Sequence, residues 1–173
     1  VGQYLYFWDH KHKKAKMLNL IGVHDCKLDA KGRAGIPSAL KKQLLTSMEQ
    51  GFILKRSVFQ NCLELYPMSE WQKTMTKVNR LNRFVKKHND FIRMFTAGVK
   101  IIEVDGNSRI NIPKDLMNFA KLKGEITLAS TAGFIEIWDK QSYEAMINDP
   151  EIDFGALAED VMGSLNDMDD ELS

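Results

Sequence analysis

Leu28-Asp29-Ala30-Lys31-Gly32-Arg33-Ala34-Gly35-Ile36-Pro37 decides how this chain is read, because it occurs twice. Seventy-six positions later the chain runs Val104-Asp105-Gly106-Asn107-Ser108-Arg109-Ile110-Asn111-Ile112-Pro113. In both copies an apolar residue precedes an Asp, an Arg follows four places on, and Ile-Pro closes the stretch. An Asp bonds its own following backbone and a Gly tolerates positive φ, so Asp29 to Gly32 is predicted to be a turn. Arg33 to Ile36 then forms a short strand, and Pro37 suits the first turn of a helix, where its missing N–H is not needed. The copies differ at one turn position: Ser108 stands where the first has Gly32, and the second carries its Gly at 106. That departure predicts a differently shaped second turn.

Working outward, the same order of elements repeats. Leu18 to Leu28 reads as a strand interrupted at Gly22, and Val99 to Val104 as its counterpart. Leu40, Leu44 and Met48 recur on one helical face after Pro37, and Leu116, Phe119 and Ala120 after Pro113. Two hairpins follow: Gly51–Lys55 with Cys62–Tyr66, and Glu125–Ala129 with Phe134–Trp138. Leu63-Glu64-Leu65-Tyr66 matches Ile135-Glu136-Ile137-Trp138. Ser69 and Gln72 have the spacing of a capping box. They open a helical region expected to run to about Phe95, with Asn89-Asp90 as the place for a kink. Two copies are too few for an open solenoid, so they are expected to close on each other around a pseudo-twofold.

The whole chain has 24 Lys and Arg against 23 Asp and Glu. Eight of those acids lie in residues 150–173, which hold no Lys or Arg, leaving 15 acids against all 24 bases in the rest. A basic body suits a polyanion partner, and an acidic tail either shields that surface or simply solvates. Residues 1–16, aromatic and then His-Lys rich, read as a disordered leader, with the compact domain opening near Met17. His10 and His12 alone make a poor metal site. Cys26 and Cys62 form neither a disulfide framework nor a zinc spacing, which suits a reducing compartment. No apolar run approaches the roughly 20 residues needed to span a bilayer.

The doubled Asp-x-x-x-Arg loop, the Ile-Pro entering a short helix, and the hairpin sequence Leu-Glu-Leu-Tyr-Pro together resemble the MraZ family of bacterial transcriptional regulators, over roughly Met17 to Ile147. The resemblance implies an α+β fold: tandem AbrB-like swapped-hairpin units forming a pseudo-twofold β-barrel-like core with peripheral helices. The first unit with its connecting helices would take residues 17–97, the second 98–149, and 150–173 would be a flexible acidic tail in which Leu157, Val161 and Leu165 permit a nascent helix. It also implies a homo-oligomeric ring that binds direct repeats in promoter DNA and represses its own division and cell-wall operon, in the cytoplasm at the nucleoid.

Carried over by motif position, Arg33 and Arg109 are the DNA-contacting residues. Lys31 adds a phosphate contact, and Asp29, Asp105 and Gly32 order the loops. An arginine fork can read a guanine edge or hold a phosphate. The plainer alternative is an Asp–Arg pair that only staples a turn. Lys41, Lys42, Lys55 and Arg56 are secondary candidates for phosphate, whereas Lys86, Lys87, Arg80 and Arg83 are expected to coat an exposed helix. No nucleophile elbow, phosphate-binding Gly loop or metal-ligand cluster is present, so no catalytic residue, cofactor, metal, membrane or small-molecule substrate is expected. Glu64 and Glu136, at matching strand positions, suit structural roles better than a catalytic carboxylate pair. The alternative function is an antitoxin-like protein-interaction module on an AbrB-like fold.

Overall fold

The computed structural model describes residues 18–170, so the expectation for residues 1–16 lies outside the described residues. The chain divides into two compact units, residues 1–140 and 141–173. In chain order the elements are β1 (Val23–Lys27), β2 (Arg33–Gly35), α1 (Ser38–Gln43), α2 (Leu45–Met48), β3 (Phe52–Arg56), β4 (Leu63–Pro67), α3 (Met68–Val78), α4 (Lys86–Thr96), β5 (Lys100–Ile102), β6 (Arg109–Asn111), α5 (Lys114–Phe119), β7 (Glu125–Ser130), β8 (Ile135–Asp139), α6 (Lys140–Ile147) and α7 (Phe154–Asp170).

Six strands form one antiparallel sheet in the order β1-β7-β8-β4-β3-β5, and β2 pairs with β6 in a separate ribbon. Apart from the hairpins β3–β4 and β7–β8, every pairing joins one repeat to the other. The register locates the pseudo-twofold axis. Ala34 faces Ile110 and Glu64 faces Glu136, each a residue opposite its own counterpart. Equivalent residues of two halves can meet only on the axis that relates them.

The two faces of the sheet are covered differently. Phe52, Leu54, Leu63, Leu65, Ile126, Leu128, Ile135 and Ile137 alternate onto one face and share a buried core with Ala34, Ile36, Leu40, Leu44, Ile110, Ile112 and Leu116 from the ribbon and helices α1 and α5. The opposite face carries Tyr66, stacked on Phe134 at 4.6 Å and edge-on to Trp71 of α3 at 5.7 Å. Trp71 in turn stacks on Phe95 of α4.

The expected barrel is not formed. β1 and β5 end the sheet as open edges. The ribbon closes the core by packing, joined to the rest of the β-structure by the single bridges Leu28 to Ala34 and Val104 to Ile110. The long helix also breaks earlier than expected, between Val78 and Lys86. There Asn82 Oδ1 accepts the Phe84 amide, His88 Nδ1 accepts the Asn82 amide, and Asn89 Nδ2 donates to the Arg83 carbonyl. Short polar side chains that bond nearby backbone compete with helix continuation. Helix α3 begins at Met68 with Pro67 as N-cap and no side-chain cap, so the Ser69–Gln72 capping box does not form. Pro37 likewise sits at the N-cap, one place before the expected first turn. In the second unit the acidic segment carries a full 17-residue helix, α7, where only a nascent one was expected. Asp153 Oδ1 accepts the Ala156 amide at 3.1 Å and so caps it.

Candidate nucleic-acid interface

Each Asp-x-x-x-Arg loop is built from its Asp. In the first, Asp29 Oδ1 accepts the Lys31 and Arg33 amides, both at 2.9 Å. Asp29 Oδ2 accepts Arg33 Nε at 2.7 Å, and Arg33 Nη2 lies 2.7 Å from the same oxygen. The turn closes with the Gly32 amide on the Asp29 carbonyl at 2.9 Å. In the second, Asp105 Oδ1 accepts the Asn107 and Arg109 amides at 2.9 and 3.0 Å. Asp105 Oδ2 holds Arg109 Nε at 2.9 Å and Nη2 at 2.8 Å, and the Ser108 amide bonds the Asp105 carbonyl at 2.9 Å.

The second turn is therefore the same turn, contrary to the expectation drawn from Ser108 and Gly106. Ser108 takes φ 58 where Gly32 takes φ 81. Its Oγ accepts Lys41 Nζ at 2.6 Å, which brings a lysine of α1 onto the second loop. Gly32 is confined as well as left-handed: a Cβ there would stand 2.8 Å from the Ile112 carbonyl oxygen and from Met117 Sδ. The loops are tied crosswise. The Ile36 amide donates to the Ser108 carbonyl at 2.9 Å and the Ile112 amide to the Gly32 carbonyl at 2.8 Å.

The bond from Arg33 depresses the Asp29 carboxyl to about 2, from an ordinary 3.8, helped by the Arg33 and Lys31 amides. Asp105 is lowered by Arg109 in the same way. Both carboxylates are ionised at neutral pH. Each engages the Nε and Nη2 edge of its guanidinium, which leaves the planar Nη1–Nη2 edge for a second bidentate partner.

Strand alternation sets what the ribbon shows. Ala34 and Ile110 are each 1% exposed and face the core. Arg33, Gly35, Arg109 and Asn111 therefore point the other way, with Arg33 opposite Asn111 and Arg109 opposite Gly35. The two arginines are diagonal neighbours, about 7–8 Å apart at the backbone. Lys31 is exposed at the turn beside them. Sequence reasoning passes over Asn111; its place two residues after Arg109 in a strand is the signal that would have found it.

Lys55 does not join this surface. Its side chain is 1% exposed, with Nζ 3.0 Å from Glu64 Oε2. Arg56 lies over the Phe119 ring at 4.9 Å. On α4, Lys86 and Arg93 both pair with Asp90, in keeping with the expectation of a charged coat. Glu136 accepts Trp138 Nε1 at 2.9 Å and Glu64 accepts the Tyr66 hydroxyl at 3.0 Å, both structural bonds.

A family model described as "MraZ protein, putative antitoxin-like" matches twice in tandem, over residues 20–94 and 94–163. The chain belongs to the MraZ family. A "Transcriptional regulator MraZ" of Christiangramia forsetii is 60% identical over 148 residues, 86% of this chain and 96% of the relative. The protein of that name from Flavobacterium psychrophilum is 58% identical over 151 residues, 87% of this chain and 96% of the relative. That of Bacteroides thetaiotaomicron is 36% identical over 156 residues, 90% of this chain and 99% of the relative. The tandem MraZ match places one copy of the Asp-x-x-x-Arg loop in each matched segment. No helix among the described residues is long and apolar enough to cross a membrane.

Proposed function

We propose that this chain is a sequence-specific DNA-binding transcription regulator that enters the major groove with the β2–β6 ribbon. One observation carries the reading: two arginines, each braced side-on by its own Asp, stand together on the outward face of a two-stranded ribbon. The major groove admits such a ribbon, and a bidentate arginine on guanine contributes about 1–3 kcal/mol of discrimination. Bracing fixes the guanidinium before DNA arrives, so little rotamer freedom is lost on binding. Lys31 and Lys41 supply phosphate contacts that position the ribbon without reading sequence. The names of the relatives support regulation of transcription as the output.

The finer reading follows the family resemblance. The interleaved halves are the swapped-hairpin arrangement of tandem AbrB-like units. Copies assemble into a ring, whose many ribbons meet direct repeats in the chain's own promoter and repress its division and cell-wall operon. Linked half-sites then bind at high effective concentration, so modest single contacts sum to firm binding.

The test is a titration of DNA from upstream of the chain's own gene, at several salt concentrations, against a shuffled duplex. Arg33→Ala and Arg109→Ala are each expected to weaken specific binding about 5- to 150-fold, and affinity is expected to fall steeply with salt. If both variants bind like the parent, the site is wrong; a flat salt response removes the electrostatic basis. The antitoxin-like wording of the family description favours a second reading, a protein-neutralising module. Stoichiometric copurification of a partner, with no specific retardation of the upstream DNA, would select it.

A further inference from the structure

The pseudo-twofold that carries Arg33 onto Arg109 carries Gly35 onto Asn111, and there the two ends of the ribbon stop being equivalent. At one end Arg33 faces an amide side chain across the ladder. At the other Arg109 faces a residue with no side chain. We propose that Asn111 is a specificity-determining residue that reads an adenine next to the base contacted by Arg33, and so gives the ribbon a direction along the duplex. The proposal rests on the duplex-binding reading and adds to it.

Three observations support it. Asn111 is exposed on the outward face that carries both arginines. Its side-chain amide has no hydrogen-bond partner among the described residues. Its Oδ1 lies over the first turn, 3.7 Å from where a Cβ on Gly32 would stand, so the amide sits beside the loop that braces Arg33. An amide offers one donor and one acceptor side by side, the complement of adenine N6 and N7 in the major groove. An arginine fork prefers the paired acceptors of guanine. Arg33 with Asn111 therefore forms a two-base reading set, and Arg109 with Gly35 a one-base set.

The asymmetry also answers a geometric need. A perfectly twofold ribbon would read a sequence and its inverted complement alike. A ribbon with an amide at one end only discriminates the two orientations.

Gly35 makes the converse experiment feasible. A Cβ added there meets nothing within 4 Å, and its φ is not left-handed. Gly35→Asn is thus an insertion into open space that restores the symmetry.

The test scans single-base changes across the upstream site, measuring binding of the wild type, Asn111→Ala, Asn111→Thr and Gly35→Asn, with thermal melts as a folding control. Thr keeps strand propensity, so its result stands if Ala perturbs the edge of the ribbon. The wild type is expected to prefer A·T at one position beside the Arg33-dependent base by about 5- to 150-fold. Both Asn111 variants are expected to lose that preference and keep the others, with an unchanged salt slope. Gly35→Asn is expected to create a second such position, related by the ribbon's twofold. Full retention of every preference in both Asn111 variants overturns the proposal. So does a uniform loss on specific and shuffled DNA alike, which would mark a phosphate contact. If the wild type itself does not distinguish upstream from shuffled DNA, the duplex-binding reading fails first and this inference with it.

Discussion

Ser108 holds a left-handed backbone that costs a side-chain-bearing residue roughly 1–2 kcal/mol, yet it closes a turn with the same bonds as Gly32. What separates the two positions is the space beside them. A Cβ on Gly32 would stand 2.8 Å from the Ile112 carbonyl oxygen and from Met117 Sδ, whereas Ser108 uses its hydroxyl to hold Lys41. Gly32→Ala is therefore expected to destabilise the protein by about 1–3 kcal/mol, because backbone oxygen cannot retreat as a flexible side chain can. Ser108→Gly is expected to stay within about 1 kcal/mol of the parent. Thermal melts of the two variants check both; an innocuous Gly32→Ala would mean the turn is freer than described. The Asp at the head of each loop gives a pH signature. A carboxyl whose folded-state pKa is lowered contributes stability above its unfolded value, near 3.8, and loses it as pH falls through the folded value. The stability the Asp29 bonds contribute should thus be fully present from pH 5 to 8 and be lost progressively between about pH 4 and 2. The Lys31 and Arg33 amide shifts should titrate with a midpoint at about 2. A midpoint near 4 would show that Arg33 does not hold the carboxylate.

At the scale of elements, the outer face of the sheet is held by a charge pair that local sequence does not announce. Lys55, 1% exposed along its side chain, meets Glu64 at 3.0 Å, donates to the Arg56 carbonyl, and stands 4.5 Å over the Phe95 ring. Because Glu64 faces Glu136 on the axis, a second carboxylate-bearing residue stands across the ladder from the one Lys55 holds. Removing a single partner from a buried pair typically costs about 3–5 kcal/mol, since the remaining charge is left without compensation. Lys55→Met is expected to cost that much in denaturant melts, and adding Glu64→Gln to recover part of it. If Lys55→Met is as stable as the parent, the pair is not buried as described. Much of the element order was legible: the doubled Asp-x-x-x-Arg turn, both hairpins and the proline-led helices follow from turn chemistry and period. The losses have one physical cause. Lys55 reads as a surface base until the register of β3 against β4 is known. The open edges at β1 and β5 depend on which strands of the other half arrive beside them. Strand period puts Asn111 on the face of Arg109, but its place across from Arg33 needs the register of β2 against β6. The sheet edges and the Arg33–Asn111 pairing depend on partners far away in sequence, and Lys55 on the exact register of a hairpin partner nine residues on; periodicity alone fixes none of these pairings. The break after Val78 is different in kind: its Asn and His bonds are local, and the apolar spacing across it simply masked them.

For the whole molecule, the axis through Ala34–Ile110 and Glu64–Glu136 means that neither repeat has a sheet of its own. Residues 18–97 alone retain the β3–β4 hairpin, but β1 lacks β7, β2 lacks β6, β3 lacks β5 and β4 lacks β8. Isolated hairpins are marginal in water, so that fragment should not fold as a monomer. It can, however, satisfy the same register with a second copy of itself. Glu64 would then face Glu64, and each would bring its own Lys55, a better charge balance than in the intact chain. Residues 98–140 have no such route. Their Glu136 would face Glu136, and the position across the hairpin from it is Ala129 rather than a lysine. The expected outcome is that the first fragment folds only as a dimer, with a melting temperature that rises with concentration. The second should remain unfolded alone and fold when the first is added. Sedimentation and concentration-dependent melts decide the matter. A monomeric 18–97 fragment with a cooperative, concentration-independent melt would show that the halves are separate domains and that the shared axis is not what holds them.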